Sequence, residues 1–151
     1  SLKKISLEFF YNMTKFPKLP DGLKELHLNC IKILPESLPS SLEKISIENS
    51  NNVTKLPKLP DELKVLHLKY CLQLRELPEP LPSSLEKISI DTCENIIKLP
   101  KLPDALKELN LKYCYRLQEL PENFPDTLER VDLFGCHSLP NNLETIQKLI
   151  D

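Results

Sequence analysis

The chain has 151 residues, a formal net charge of −2, 40% hydrophobic residues and 14 prolines. This length predicts one domain, and the slight acidity argues against a nucleic-acid partner, since nucleic-acid-binding domains are usually basic. Proline breaks helices, so 14 of them exclude most helical folds, and no apolar run is long enough to predict membrane insertion.

The prolines fall within a repeated pattern that starts close to the first residue. Residues 41–47 (SLEKISI) recur at 84–90, and residues 55–61 (KLPKLPD) recur at 98–104. Both belong to a unit with the template LxxLxLxx(C/S)xxLxxLPxxLPxx, and its seven copies begin at Leu2, Leu23, Leu42, Leu63, Leu85, Leu106 and Leu128. A period of roughly 20–29 residues with LxxLxL is typical of leucine-rich repeats, in which each unit adds one strand to a solenoid.

Within each unit, the pattern predicts a short strand followed by an extended return segment, here called the limb. The alternating apolar residues of LxLxL point to one side of a strand. Proline fixes φ near −65° and donates no amide hydrogen, so the LP steps predict a polyproline-like limb and not a helix. The predicted fold is a leucine-rich-repeat solenoid of about seven units, with a curved parallel sheet on its concave face and extended limbs on its convex side.

The two ends of the chain depart from this pattern. Residues 1–140 are predicted to form the solenoid and residues 141–151 a capping segment. The apolar residues of that tail have helical spacing, and Asn141 with Glu144 resembles a capping box, which predicts a short cap helix. A degenerate eighth unit is the alternative. The first strand has no cap, so we expect further residues or another element to cover it, or its edge to mediate self-association.

The template resembles the short bacterial leucine-rich repeats of the IpaH/YopM type over about residues 2–140. The matching segments are strands such as 63–68 (LKVLHL) and limbs such as 77–82 (LPEPLP). The resemblance implies a partner- or substrate-binding part of a secreted effector that acts in the host cytoplasm. Some members carry a separate ubiquitin-ligase domain with a catalytic cysteine, and nothing in this chain matches that domain.

At one place of the template the residue type differs from that of the family. The family usually has Asn at the ninth place of the unit, where this chain has cysteines. Repeats of the form CxxLxxLPxLP also resemble those of plant intracellular immune receptors. Both origins stay open at this point, as does a protein that works in its own cytoplasm.

The ninth place predicts a column of inward-facing side chains beneath the strand ends, here called the ladder. It holds Cys71, Cys93, Cys114 and Cys136, with Ser50 and Phe10 in two other units. Buried cysteine acts as a small hydrophobe with a weak donor, so a structural role is predicted. The odd count of five and the lack of a visible signal peptide favour reduced thiols. No CxxC spacing is present, and neither a metal nor another cofactor is predicted.

The histidines do not form a catalytic or metal-binding pattern. His27 and His67 occupy the fifth place of units two steps apart, so they lie about 9.6 Å from each other and cannot share a metal. Ser46 and Ser89 flank His67, so a Ser–His contact is conceivable, but Asp132 is three units away from it. A polar lining is predicted, and the chain is interpreted as having no enzyme activity.

The outward places of the strands predict the binding surface. Their charges alternate in sign from unit to unit, so the concave sheet neutralises itself and disfavours polyanions. Exposed aromatic residues stand at or beside the eighth place, with ring stacking over neighbouring ladder residues as the alternative role. The predicted partner-binding residues are Phe9, His27, His67, Tyr70, Tyr113, Arg130, Asp132 and Phe134.

These observations predict a protein-binding module whose partner is a protein, in a bacterial effector a host protein. The first alternative is the substrate-recognition part of a ubiquitin ligase whose catalytic domain lies outside this chain. The second is the ligand-sensing part of a plant-type receptor, and the third is a structural or self-assembling element.

Overall fold

The computed structural model describes residues 1–140, 144 and 147. Each repeat supplies one strand: β1 Lys4–Glu8, β2 Glu25–Asn29, β3 Lys44–Glu48, β4 Val65–Lys69, β5 Lys87–Asp91, β6 Glu108–Asn110 and β7 Arg130–Asp132. The strands form one parallel sheet in chain order, and the limbs between them contain no helix in residues 1–140. The predicted solenoid of parallel strands and extended limbs is therefore confirmed.

The core is a continuous column of aliphatic side chains from neighbouring units. The register pairs equivalent places, so that Ile45 of β3 lies opposite Leu66 of β4 and Leu66 lies opposite Ile88 of β5. All three side chains are at most 1% exposed. The limbs close the other side of this column with leucines next to the prolines, such as Leu56 and Leu77. Each unit thus buries its apolar face only against its neighbours, as in other solenoids.

The ladder is buried in four units that carry cysteine or serine, whereas Cys136 in the last unit is only partly buried. Cys71, Cys93 and Cys114 are at most 1% exposed, and so is Ser50. The thiols donate to main-chain carbonyls, for example from Cys71 Sγ to the Ile47 oxygen at 3.5 Å. The thiols of Cys71, Cys114 and Cys136 thereby contact the preceding unit, whereas Cys93 bonds to the Asp91 oxygen of its own unit. Burial and these weak hydrogen bonds support the structural role.

The prediction was wrong for Phe10, whose side chain is 46% exposed. Its unit has a neighbour on one side only in the described sheet, and the ring is larger than the space that cysteine or serine fills elsewhere. In the short second unit, Ile31 takes the ladder place and is 2% exposed.

Hydroxyl groups at every second unit donate hydrogen bonds to main-chain carbonyls next to the start of the unit before. The sequence did not predict these contacts. The Ser41 hydroxyl, next to the start of the third unit, lies 2.6 Å from the Asp21 carbonyl oxygen and 2.7 Å from that of Leu23, at the start of the second unit. Ser84 and Thr127 make the equivalent contacts two and four units later. Because these residues recur with every second unit, the units are linked as doublets.

The predicted cap helix over 141–151 falls almost wholly outside the described residues. Glu144 and Gln147 are described, and both have helical conformation.

Candidate functional site

Ion pairs between neighbouring units cover the concave face of the sheet. Side chains at equivalent places lie within 4.0 Å of each other in Lys24–Glu43, Lys107–Glu86, Lys87–Glu108 and Lys4–Glu25. The predicted alternation of charges is confirmed. Because these groups are 37–59% exposed, each pair contributes little to stability, and their main effect is to cancel the field of the sheet.

The two strand histidines contact carboxylates in the structure. His27 Nε2 lies 3.2 Å from Glu25 Oε2, and His67 Nε2 lies 3.0 Å from Glu48 Oε1. The hydrogen bond from His27 is the largest cause that lowers the pKa of Glu25, and it outweighs the opposing effect of burial. Among the described residues, no hydrogen bond joins His67 to a serine, so the conceivable Ser–His contact is not formed.

The eighth place of each unit adopts a left-handed turn where the strand ends. The φ angles are positive at Phe9, Cys30, Asn49, Tyr70, Thr92, Tyr113 and Gly135. The first six of these turns continue the sheet by one hydrogen bond, as in the 2.8 Å bond from the Tyr113 amide to the Phe134 carbonyl. The eighth-place side chains therefore form a row along the edge of the sheet, beside the concave floor.

The predicted aromatic residues do not form one continuous row. Phe9 is 57% exposed and lies 6.0 Å from the Tyr11 ring, while Tyr70 is 42% exposed and has Lys69 Nζ 5.5 Å from its ring centroid. Thr92 separates Tyr70 from Tyr113 in this row. Phe9 and Tyr70 are thus isolated from each other and from the aromatic residues of the last two units.

Four rings cluster in the last two units, and we call Tyr113, Tyr115, Phe134 and His137 the aromatic patch. The Tyr113 and Phe134 centroids lie 5.4 Å apart in an edge-to-face arrangement, and Tyr115 stacks on His137 at 5.8 Å. Tyr113 and Tyr115 are 6.0 Å apart, which connects the two pairs. Phe134 is 64% exposed.

Gly135 makes room for this cluster. A Cβ atom at Gly135 would lie 2.5 Å from Cδ1 of Tyr113, so only glycine lets the ring rest there. Tyr113 and Phe134 were predicted from the sequence, whereas Tyr115 and His137 were not. Tyr115 and His137 occupy the tenth place of adjacent units, and this shared place could have predicted that they lie side by side.

Two predicted charged residues flank the patch on β7. Asp132 Oδ2 lies 3.4 Å from Lys112 Nζ, and Asp132 Oδ1 accepts a 3.0 Å hydrogen bond from the Phe134 amide. Asp132 therefore fixes the turn that presents Phe134. Arg130 is exposed and forms no ion pair within the part of the chain that the structure describes.

The remaining surface offers open grooves between limbs. A groove of about 900 Å³ runs between the limbs of the third and fourth units, with Leu56 and Leu77 on its floor. Residues 1–140, 144 and 147 contain no group of His, Cys, Asp and Glu suited to a metal ion. Over the same residues, no helix has the length and apolar character needed to span a membrane.

Comparisons with known proteins show what this chain is similar to. No family model and no curated protein sequence matches the chain. Among solved structures, the chain is similar to YopM from Yersinia enterocolitica, with a TM-score of 0.67 and 29% identity over 80% of this chain. The chain has the leucine-rich-repeat fold. It spans 26% of the length of YopM, so the similarity concerns the repeats.

A leucine-rich-repeat solenoid of this kind is typically a non-catalytic scaffold for binding. Such solenoids bind through the extended surface that stacking creates on the concave side. In this chain that side comprises the self-neutralised sheet and, along its edge, the aromatic patch.

Proposed function

We propose that the chain is a protein-binding module and that it is not itself an enzyme. The observation that carries this proposal is the aromatic patch. Three of its rings, from Tyr113, Tyr115 and Phe134, are 36%, 37% and 64% exposed although they contact one another. Large exposed aromatic side chains that cluster are the usual anchors of protein interfaces.

The neighbouring concave floor supports a partner of complementary shape. The fifth-place residues are small or polar, such as Ser46 and Ser89, and the flanking ion pairs leave no strong field of either sign. Affinity would come from burying the rings, with about 800 Å² covered per partner in a stable complex of ordinary size. The other predicted contacts, namely Phe9, His27, His67, Tyr70, Arg130 and Asp132, are proposed to form the outer part of the interface.

We further propose a bacterial effector that acts on a host protein in the host cytoplasm. The repeat template and the similarity to YopM support this assignment. Repeats of a plant-type intracellular receptor are the second candidate, because cysteine fills the ladder of consecutive units at Cys71, Cys93 and Cys114.

A capture experiment tests the binding proposal. The immobilised chain, a Tyr115→Ala/Phe134→Ala variant and a Phe9→Ala/Tyr70→Ala variant are exposed to the same host-cell lysate. The second variant removes two exposed aromatic residues that we place in the outer part of the interface, so it compares that outer part with the patch. We expect the Phe9/Tyr70 variant to capture the same protein as wild type with at most about twofold loss, and the patch variant to capture it at least about fivefold more weakly.

Circular dichroism and urea denaturation show whether each variant keeps the fold. Equal capture by a folded patch variant would contradict the role of the patch. Loss of capture in the Phe9/Tyr70 variant alone would move the binding site toward the first four units.

A further inference from the structure

The ladder contains two thiol pairs with the same local arrangement. Cys71 with Cys93, and Cys114 with Cys136, occupy the ninth place of adjacent units. The sheet register continues up to this level through the 2.8 Å bond from the Tyr113 amide to the next unit. Neighbouring Cα atoms on the ladder are thus about 4.8 Å apart, which lies within the range that disulfides span.

The side chains of the second pair point in the same direction. Cys114 Sγ lies 3.7 Å from the Ile90 carbonyl oxygen, and Cys136 Sγ lies 2.7 Å from the Leu111 carbonyl oxygen. Ile90 and Leu111 hold equivalent places in adjacent units, so the two sulfur atoms lie side by side. A bond between them requires the two side chains to turn toward each other across one repeat step of about 4.8 Å.

The two cysteine pairs differ in their exposure to solvent. Cys71 and Cys93 are both 0% exposed, and Cys114 is 1% exposed. Cys136 is only partly buried, so it is the most exposed member of the two pairs. Cys30 is also partly exposed, but Phe9 and Asn49 hold the neighbouring eighth places, so it has no thiol partner there.

We propose that Cys136 is an oxidation site with Cys114 as its resolving thiol, so that a hydroperoxide converts the pair into a disulfide. The Cys136 sulfur attacks the peroxide, the O–O bond breaks, and the thiol proton leaves with the released alcohol or water. The sulfur is oxidised by two electrons to a sulfenic acid, and the peroxide is reduced. Cys114 sulfur then attacks Cys136 sulfur, the S–O bond breaks, and the hydroxyl leaves as water with the Cys114 proton.

The neighbouring thiol affects the acidity of Cys136. The side-chain interaction with Cys114 lowers the pKa of the Cys136 thiol, and the same interaction raises that of Cys114. The Leu111 carbonyl acts in the opposite direction, because it accepts from the protonated Cys136 thiol. The proposal therefore depends on pairing and access, and acidity plays a minor part.

The disulfide would lie directly below the aromatic patch. Cys114 follows Tyr113 in the chain, and Cys136 lies between Gly135 and His137. The link would fix the last two units to each other at the level of the rings. Only this consequence for partner binding rests on the proposed function; the oxidation itself does not.

The test uses the reduced chain and hydrogen peroxide. After treatment, free thiols are alkylated under denaturing conditions, and peptides are identified by mass spectrometry without reduction. We expect a Cys114–Cys136 disulfide to form at least about tenfold faster than a Cys71–Cys93 disulfide, because only the first pair is accessible. Cys30 is expected to be modified without an internal disulfide.

Two variants separate the roles of the pair. In Cys114→Ser, Cys136 should accumulate as a sulfenic acid that dimedone traps, whereas Cys136→Ser should leave Cys114 unmodified. Equal rates for both pairs, or oxidation of Cys136 to a sulfinic acid without any link to Cys114 in wild type, would overturn the proposal. Because the disulfide is read by mass, a failure here is distinct from a failure of partner capture.

Discussion

Replacement of Gly135 by alanine tests how the aromatic patch is built. Gly135 has a φ of 79°, and an added Cβ atom would lie 2.5 Å from Cδ1 of the Tyr113 ring. The left-handed conformation costs an L-residue about 1–2 kcal/mol relative to glycine. The Tyr113 ring must also move away and lose its edge-to-face contact with Phe134, which is worth about 0.5–1.5 kcal/mol. We therefore expect Gly135→Ala to lower the free energy of unfolding by about 1.5–3.5 kcal/mol.

A double-mutant cycle with urea denaturation separates the two contributions. In a Tyr113→Ala background there is no ring to displace, so Gly135→Ala should cost only about 1–2 kcal/mol. The same cost in both backgrounds would show that the ring does not rest on Gly135. A total cost below about 0.5 kcal/mol would refute the conformational part as well.

Three further substitutions test the core, the turns and the acid stability. Leu66→Ala should lower the free energy of unfolding by about 2–5 kcal/mol in urea, because Leu66 is 0% exposed; a smaller loss would indicate a core that collapses around the cavity. Thr92→Asn should raise the thermal midpoint and add about 1 kcal/mol to the free energy of unfolding, because β-branched Thr92 has a φ of 53°. Asn49 holds the equivalent place with a positive φ, so asparagine fits there, and a lower midpoint would contradict this strain. The pKa of Glu25 is lowered by its hydrogen bond with His27, so its stabilising effect is present above its ordinary value of 4.5 and is lost as the pH falls. Glu25→Gln should therefore decline less steeply with acid in unfolding measurements from about pH 6 to pH 3, and an unchanged slope would argue against the contact.

The fold could be predicted from the sequence because the residues of each unit determine its local structure. Alternating apolar residues specified strands such as Val65–Lys69, and the LP steps excluded helices from the limbs. The inward direction of Cys71 followed from its place after the strand, and the structure confirmed it. Regular spacing also gave the pairing of charges between units, since equivalent places lie side by side in a parallel sheet.

The composition of the candidate site was less predictable. Core places are restricted by packing, whereas exposed places are not, so the template gave no reason to connect Tyr115 with His137. The contact of Tyr113 with Phe134 depends on glycine at position 135, because a Cβ atom there would collide with the Tyr113 ring. The repeat template does not predict this contact. His67 turned toward a carboxylate of the neighbouring unit and not toward a serine, because a charged acceptor forms the stronger hydrogen bond.

The doublet period of the hydroxyl contacts and of the charge pairs limits how such an array can change its length. Excision of a single unit, residues 63–84, would bring Glu43 next to Glu86 and leave a seam of like charges. Excision of two units, residues 63–105, would instead bring Glu43 next to Lys107 and preserve opposite neighbours. Shorter and longer versions of this protein are therefore expected to differ by even numbers of repeats.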